Sequence, residues 1–198
     1  MSVKRLSVIA TTMLLITLTT ACSGAPAPEN CPDLGVVTAV ENPATRLNVD
    51  NLKGSTIPNL TWQIVDCKSL KAIGNKTLSL SDFRGKPVII IFHKTMNCPG
   101  CAAQMPFIQA VYDKWTNAEL TVLTIYREDK ISAVRSFTSS KGYIFTALAD
   151  PNDEFATKCG FPVMAPITIF IDAQGVIREF KCGPCQSQEE IEGILRSL

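Results

Sequence analysis

The chain has 198 residues, 46% of them hydrophobic and 19% charged, with a formal net charge of +1. This balance gives no bulk positive charge for nucleic acid, and the length suits one ordinary globular domain with appendages. Eight cysteines against a single histidine exclude His-rich metal sites and turn attention to sulfur chemistry.

The N-terminus carries Lys4 and Arg5, then an apolar run from Leu6 to Leu18, then small residues ending at Ala21-Cys22. This is the layout of an export signal over residues 1–21, too short for a comfortable membrane span. Leu18-Thr19-Thr20-Ala21-Cys22 resembles a bacterial lipobox, with Thr19 where leucine is usual. The resemblance implies lipidation of Cys22 and an extracytoplasmic lipoprotein anchored to the membrane of a bacterial cell envelope. The competing reading is plain signal-peptidase cleavage, after Ala21 or after Ala25-Pro26-Ala27. Removing the signal takes away two basic and no acidic residues, so the mature chain is near neutral. Export also places the cysteines where disulfides persist. With Cys22 lipidated, the other seven cannot all pair internally, and Cys31 with Cys67 is the expected bond outside the two Cys-x-x-Cys units.

Residues 22–53 are rich in Pro, Ala and Asn without clear periodicity and read as a tether, leaving residues 54–198 as the folded domain. Thr61–Val65 and Lys76–Leu80 read as a hairpin turned by Gly74-Asn75. Ser81 to Pro87 then leads into the apolar run Val88-Ile89-Ile90-Ile91-Phe92, a buried strand. Residues 99–115 have apolar side chains near helical spacing (Ala103, Phe107, Ala110, Val111, Trp115), with Pro106 inside. Further on, the pattern predicts strands at 120–126, 144–148, 167–171 and 176–180, and helices at 131–139, 150–157 and 187–198. Alternating strands and helices indicate an α/β fold, a central mixed sheet with helices on both faces and an N-terminal β-hairpin extension.

At the corner between that buried strand and the long helix lies Cys98-Pro99-Gly100-Cys101. Cys98 sits at the first helical turn, where unpaired N–H groups and the positive end of the helix dipole favour a thiolate. Cys101, three residues on, lies within about one turn of 3.6 residues, so the two sulfurs can close and reopen a small disulfide.

Leu80 to Pro87, the Cys-x-x-Cys followed by Pro106, and Ala165-Pro166-Ile167-Thr168-Ile169-Phe170-Ile171-Asp172 with Gly175 together resemble the thioredoxin-like domains of exported thiol-disulfide oxidoreductases of the TlpA and ResA type. These are relatives of the AhpC/TSA peroxiredoxins. The resemblance covers roughly residues 54–198 and implies a thioredoxin-like fold. It implies Cys98 as attacking thiol, Cys101 as resolving thiol and Pro166 as a cis-proline opposite them. Ala165 would offer its backbone to an extended substrate, beside Pro99 and Gly100. The implied cofactor is none beyond the redox-active disulfide. The implied partners are protein thiol or disulfide substrates and an electron donor in the membrane or outside the cytoplasm. Three residues depart from the pattern: Asn97 stands where an aromatic is usual, Gln104 where an acid is frequent, and Phe92 precedes Cys98 by one residue more than in most thioredoxins.

That longer spacing is shared with peroxiredoxins, whose single cysteine attacks peroxide, and an antioxidant thiol peroxidase is the first alternative. Thr95 lies three residues before Cys98, but the expected proline is Ile91; counted to Cys101, the same places hold Cys98 and Lys94. A redox-inactive binding module stiffened by disulfides is the other alternative. Cys182-Gly183-Pro184-Cys185 is a second pair, either a redox relay or a structural staple. A four-cysteine zinc site is disfavoured because the two pairs lie far apart, and no histidine follows Cys101 or Cys185 as covalent haem requires, so no metal is expected. His93, at a strand end, reads as surface before it reads as a base, and Tyr126 to Lys130 reads as a solvated charged loop.

Overall fold

The computed structural model describes residues 32–41, 52–162 and 164–198. The export signal, Cys22 and Cys31 lie outside them. The expected Cys31–Cys67 bond therefore falls partly outside the described residues; Cys67 itself is disulfide-bonded.

Eight strands form one sheet in the order β3-β2-β1-β6-β5-β4-β7-β8. They are β1 (Leu34–Val40), β2 (Leu60–Val65), β3 (Ala72–Ser79), β4 (Val88–His93), β5 (Thr121–Arg127), β6 (Thr146–Asp150), β7 (Ile167–Ile171) and β8 (Ile177–Cys182). The helices are α1 (Pro99–Glu119), α2 (Ile131–Lys141), α3 (Glu154–Cys159) and α4 (Gln188–Leu195). Strands β4, β5 and β6 run parallel, joined by the crossover helices α1 and α2, while β7 and β8 return antiparallel on one side of β4. The fold is the expected mixed α/β sheet of thioredoxin type.

Strand β4 shows why this sequence makes a central strand. All six of its residues are buried, and successive side chains serve opposite faces. Ile89 and Ile91 join Met105, Ile108 and Val111 of α1 and Ile191 and Leu195 of α4 in one cluster. Val88, Ile90 and Phe92 join Phe155, Ala156 and Cys159 of α3 on the other face. Helix α2 covers the far part of the first face, where Val134 meets Tyr126, Ala147 and Ala149. Helix α4 begins at Ser187, whose hydroxyl accepts the Glu190 N–H at 3.2 Å.

Two features of the N-terminal half correct the sequence reading. The stretch read as tether contains β1, which pairs antiparallel with β2 and parallel with β6. The folded part therefore includes residues before position 54. The hairpin β2–β3 is present, but Gly74 and Asn75 lie inside β3. The chain turns earlier, where the Asp66 carboxylate accepts the Ser69 N–H at 2.7 Å and its hydroxyl at 2.6 Å.

Candidate active site

Strand β4 ends at His93, and after five intervening residues α1 begins at Pro99. Two interactions shape the corner. The Thr95 N–H and hydroxyl both donate to the Asp129 carboxylate, each at 2.8 Å. Asn97 takes a left-handed backbone with φ of 56°. Asparagine tolerates that region far better than an aromatic residue does, which gives the departure at position 97 a local cause.

Cys98 is the N-cap residue of α1, and its sulfur accepts the Cys101 N–H at 3.2 Å. Pro99 fills the first helical position, where no N–H is needed. Cys98 and Cys101 are joined as a disulfide with Cα atoms 5.2 Å apart. Cys98 is half-buried and Cys101 is 0% exposed, so only the first of the two residues is open to solvent. Across from them the Ala165–Pro166 peptide bond is cis. A Cβ on Gly100 would lie 3.2 Å from Pro166 Cδ and 3.5 Å from Pro184 Cδ, so both proline rings abut the Cys-x-x-Cys backbone. The fold thus brings together Cys98, Pro99, Gly100, Cys101, Ala165 and Pro166, and adds the loop of the second pair.

Beside Cys98 opens a cleft of about 320 Å³ lined by His93, Lys94, Asn97, Pro99, Ala102 and Phe137, among others. His93 is buried, 1% exposed, not the surface residue its lone position suggested. Its ring lies 4.9 Å from Tyr126 and 5.2 Å from Phe137, and among the described residues neither ring nitrogen has a partner in good hydrogen-bond geometry. Burial pushes its pKa down to about 4, so it is neutral at pH 7 and contributes no positive charge toward a thiolate. Lys94 is ion-paired with Glu128 at 2.6 Å. The helix start and the Cys101 N–H are therefore the groups placed to stabilise sulfur charge at Cys98.

The roles of two supporting residues escaped sequence reading, which puts Arg127 in a solvated loop and marks Gln104 only as a departure from the family pattern. Arg127, inside the stretch read as a solvated loop, is 2% exposed. It donates to Asp153 Oδ1 at 2.6 Å and to the Pro162 and Met164 carbonyls at 2.7 and 3.1 Å, which anchors the segment leading into Pro166. Gln104 is fully buried one turn beyond Cys101; its Oε1 accepts the Cys185 N–H at 3.0 Å and the Thr168 hydroxyl at 3.4 Å.

A disulfide at a strand-to-helix corner facing a cis-proline defines a thioredoxin-fold thiol-disulfide protein. Residues 54–180 match the AhpC/TSA family, and the chain belongs to that family. It is 29% identical over 152 residues to a chloroplastic peroxiredoxin Q of Populus jackii, covering 74% of this chain and 67% of that one. It is also 26% identical over 123 residues to the thiol-disulfide oxidoreductase ResA of Bacillus thuringiensis, covering 62% of this chain and 69% of the relative. Among solved structures, a secreted Mycobacterium tuberculosis disulfide oxidoreductase superposes with a TM-score of 0.54 at 25% identity, over 63% of this chain and 90% of that one. The chain spans about two thirds of the length of the peroxiredoxin Q relatives. These relationships make it an oxidoreductase by homology. Among the described residues no helix is long and apolar enough to cross a membrane, and no three His, Cys, Asp or Glu residues cluster as metal ligands.

Proposed function

We propose that this protein exchanges disulfides with protein substrates outside the cytoplasm through Cys98 and Cys101. The observation that carries the reading is a half-buried cysteine at a helix start, bonded to a fully buried one and facing a cis-proline. In the reducing direction the Cys98 thiolate attacks one sulfur of a substrate disulfide, and the other substrate sulfur leaves as a thiolate and takes a proton. Cys101 gives up its proton and attacks Cys98 Sγ, which restores the Cys98–Cys101 bond and frees the second substrate thiol. A dithiol donor then reduces the bond by the same steps. Ala165 and Pro166, with Pro99 and Gly100, form the surface against which an extended substrate lies. The disulfide is the only redox group the cycle uses. Lipidation at Cys22 would hold the domain at the membrane, within reach of a membrane-borne or extracytoplasmic donor.

The kinship with peroxiredoxin Q supports a second reading, a thiol peroxidase. The Thr95 hydroxyl, at the threonine place of the peroxidatic pattern, donates its proton to Asp129, which leaves it none to donate to a bound peroxide. One pair of assays separates the readings: reduction of a protein disulfide such as insulin, and consumption of hydrogen peroxide, with Cys98→Ser and Cys101→Ser in parallel. Disulfide reduction lost in both variants, with peroxide consumption slow, is the expected result. Fast peroxide consumption that survives loss of one cysteine would overturn it.

A further inference from the structure

The second Cys-x-x-Cys touches the first. The Pro184 ring lies against Gly100, and the Gly183 N–H donates to the Pro166 carbonyl at 2.9 Å. Cys182 stands opposite Ile167 in the β7–β8 ladder, so the last residue of β8 is registered beside the cis-proline. Gly183 then takes φ of 96°, a backbone open to glycine, and turns the chain back toward α1.

Cys182 and Cys185 are thiols in the same structure in which Cys98 and Cys101 are bonded. Their exposures repeat the order of the first pair. Cys182 is exposed, at the end of the strand on the sheet's edge, and Cys185 is 1% exposed. Both inner cysteines adjoin one buried amide, Gln104, one turn beyond Cys101 and bonded to the Cys185 N–H. Because Gln104 Oε1 accepts that N–H, its Nε2 is left as a buried donor, and it has no partner among the described groups. A buried donor of this kind calls for an acceptor, and an inner sulfur in its thiolate state is one.

We propose that Cys182 and Cys185 are a second redox pair that passes electrons to the Cys98–Cys101 disulfide. The proposal rests on the first disulfide being redox-active. Cys182, having lost its proton to solvent, attacks Cys98 Sγ; the Cys98–Cys101 bond breaks and Cys101 leaves as a thiolate that is then protonated. Cys185, deprotonated in turn, attacks Cys182 Sγ, forming Cys182–Cys185 and expelling Cys98 as a thiolate. Two electrons have moved, and the only oxidant is the disulfide the structure holds. The direction follows from the surroundings. Burial pushes both second-pair thiols up, with Lys181 partly opposing it at Cys185, whereas the helix start favours the Cys98 thiolate. A pair whose thiolates are disfavoured is the more reducing one. The partner class that follows is a dithiol donor protein that meets Cys182 at the β8 edge.

Two measurements on the full chain test this. Wild-type protein is equilibrated across a series of reduced and oxidised glutathione buffers, quenched in acid, alkylated and peptide-mapped. The expected result is reversible titration of both pairs, with Cys182–Cys185 closing at the lower potential. Cys182 and Cys185 remaining thiols or separate glutathione adducts throughout would overturn the relay while leaving the first pair untouched. Failure of Cys98–Cys101 to titrate would instead sink the proposed function. The second measurement oxidises a Cys101→Ser, Cys185→Ser variant and maps its disulfide. An intramolecular Cys98–Cys182 bond in most of the monomer is expected. Its absence, with both pairs titrating in the wild type, would show two independent couples and end the relay.

Discussion

Gly100 and Pro166 meet so closely that a Cβ at position 100 would sit 3.2 Å from the proline Cδ. The contact fixes the Cys-x-x-Cys turn against the loop on which a substrate strand is proposed to lie. A methyl group there must displace one of the two by a few tenths of an ångström, and Pro184, at 3.5 Å, leaves little room on the other side. Gly100→Ala should therefore lower the rate of protein-disulfide reduction about tenfold, the kind of penalty small misplacements carry at reacting centres. Its thermal midpoint should hold, because alanine in a helix gains up to about 1 kcal/mol over glycine. Unchanged turnover in an insulin assay would show that the contact does not position the site.

Arg127 ties three pieces of chain together: the end of β5, Asp153 ahead of α3, and the carbonyls of Pro162 and Met164 before the cis-proline. Removing one partner of a buried pair leaves an uncompensated charge, at a cost of about 3 to 5 kcal/mol. Arg127→Met should lower the unfolding free energy measured in urea by that much, and its folded fraction should turn over more slowly because the approach to Pro166 has lost its anchor. A loss under about 1 kcal/mol would mean the network is dispensable.

His93 makes stability depend on pH in a definite direction. Its pKa falls from 6.5 to about 4 on folding, through burial first of all, so between those values the unfolded chain binds a proton that the folded chain refuses. Stability is unaffected above about pH 6.5, declines as pH falls toward about 4, and by then has lost on the order of 3 kcal/mol from this group. Unfolding free energies of wild type and His93→Phe, compared at pH 7 and pH 5, isolate the effect from the carboxylates both share. Phenylalanine suits the aromatic setting of Tyr126 and Phe137, so the variant should show the shallower pH dependence. Parallel curves would refute the burial argument.

The parts of this molecule that the sequence disclosed are those where one short segment carries its own reason. The β4 run, the cysteines at its end and the Pro166 strand are of this kind, and β4 and β7 are neighbours in the sheet. Strand β1 was hidden because its partners β2 and β6 are distant in sequence and its flanks are rich in proline and asparagine. Its place shows only in Gly35, where a Cβ would come within 2.5 Å of the Trp62 ring. Arg127 was hidden for the opposite reason: charge next to Glu128, Asp129 and Lys130 reads as solvent-facing, and only the tertiary fold supplies a carboxylate and two carbonyls to receive it. The turn at Asp66 was missed because a side-chain hydrogen bond competed successfully with the stronger-looking Gly-Asn signal.

Gln104 offers the sharpest test of how the buried polar layer beneath Cys101 works. Its carbonyl oxygen receives the Cys185 N–H and the Thr168 hydroxyl, both in the interior. Gln104→Leu keeps the volume but strands two buried donors, each costing about 1 to 3 kcal/mol. It should destabilise the protein and loosen the Cys182–Gln186 loop, visible as faster amide exchange at Cys185. Gln104→Glu keeps an acceptor oxygen for both donors and replaces the amide NH2 by a buried ionisable group near the disulfide. Stability at low pH should be close to wild type, where the carboxyl is neutral, and should fall as pH rises and charge is forced into the interior. The rate of disulfide exchange should acquire a new ionisation absent from wild type, because a carboxyl there can accept the Cys101 proton where an amide cannot. A pH–rate profile for Gln104→Glu that overlays the wild type would show that position 104 is structural only and takes no part in moving protons at the inner cysteine.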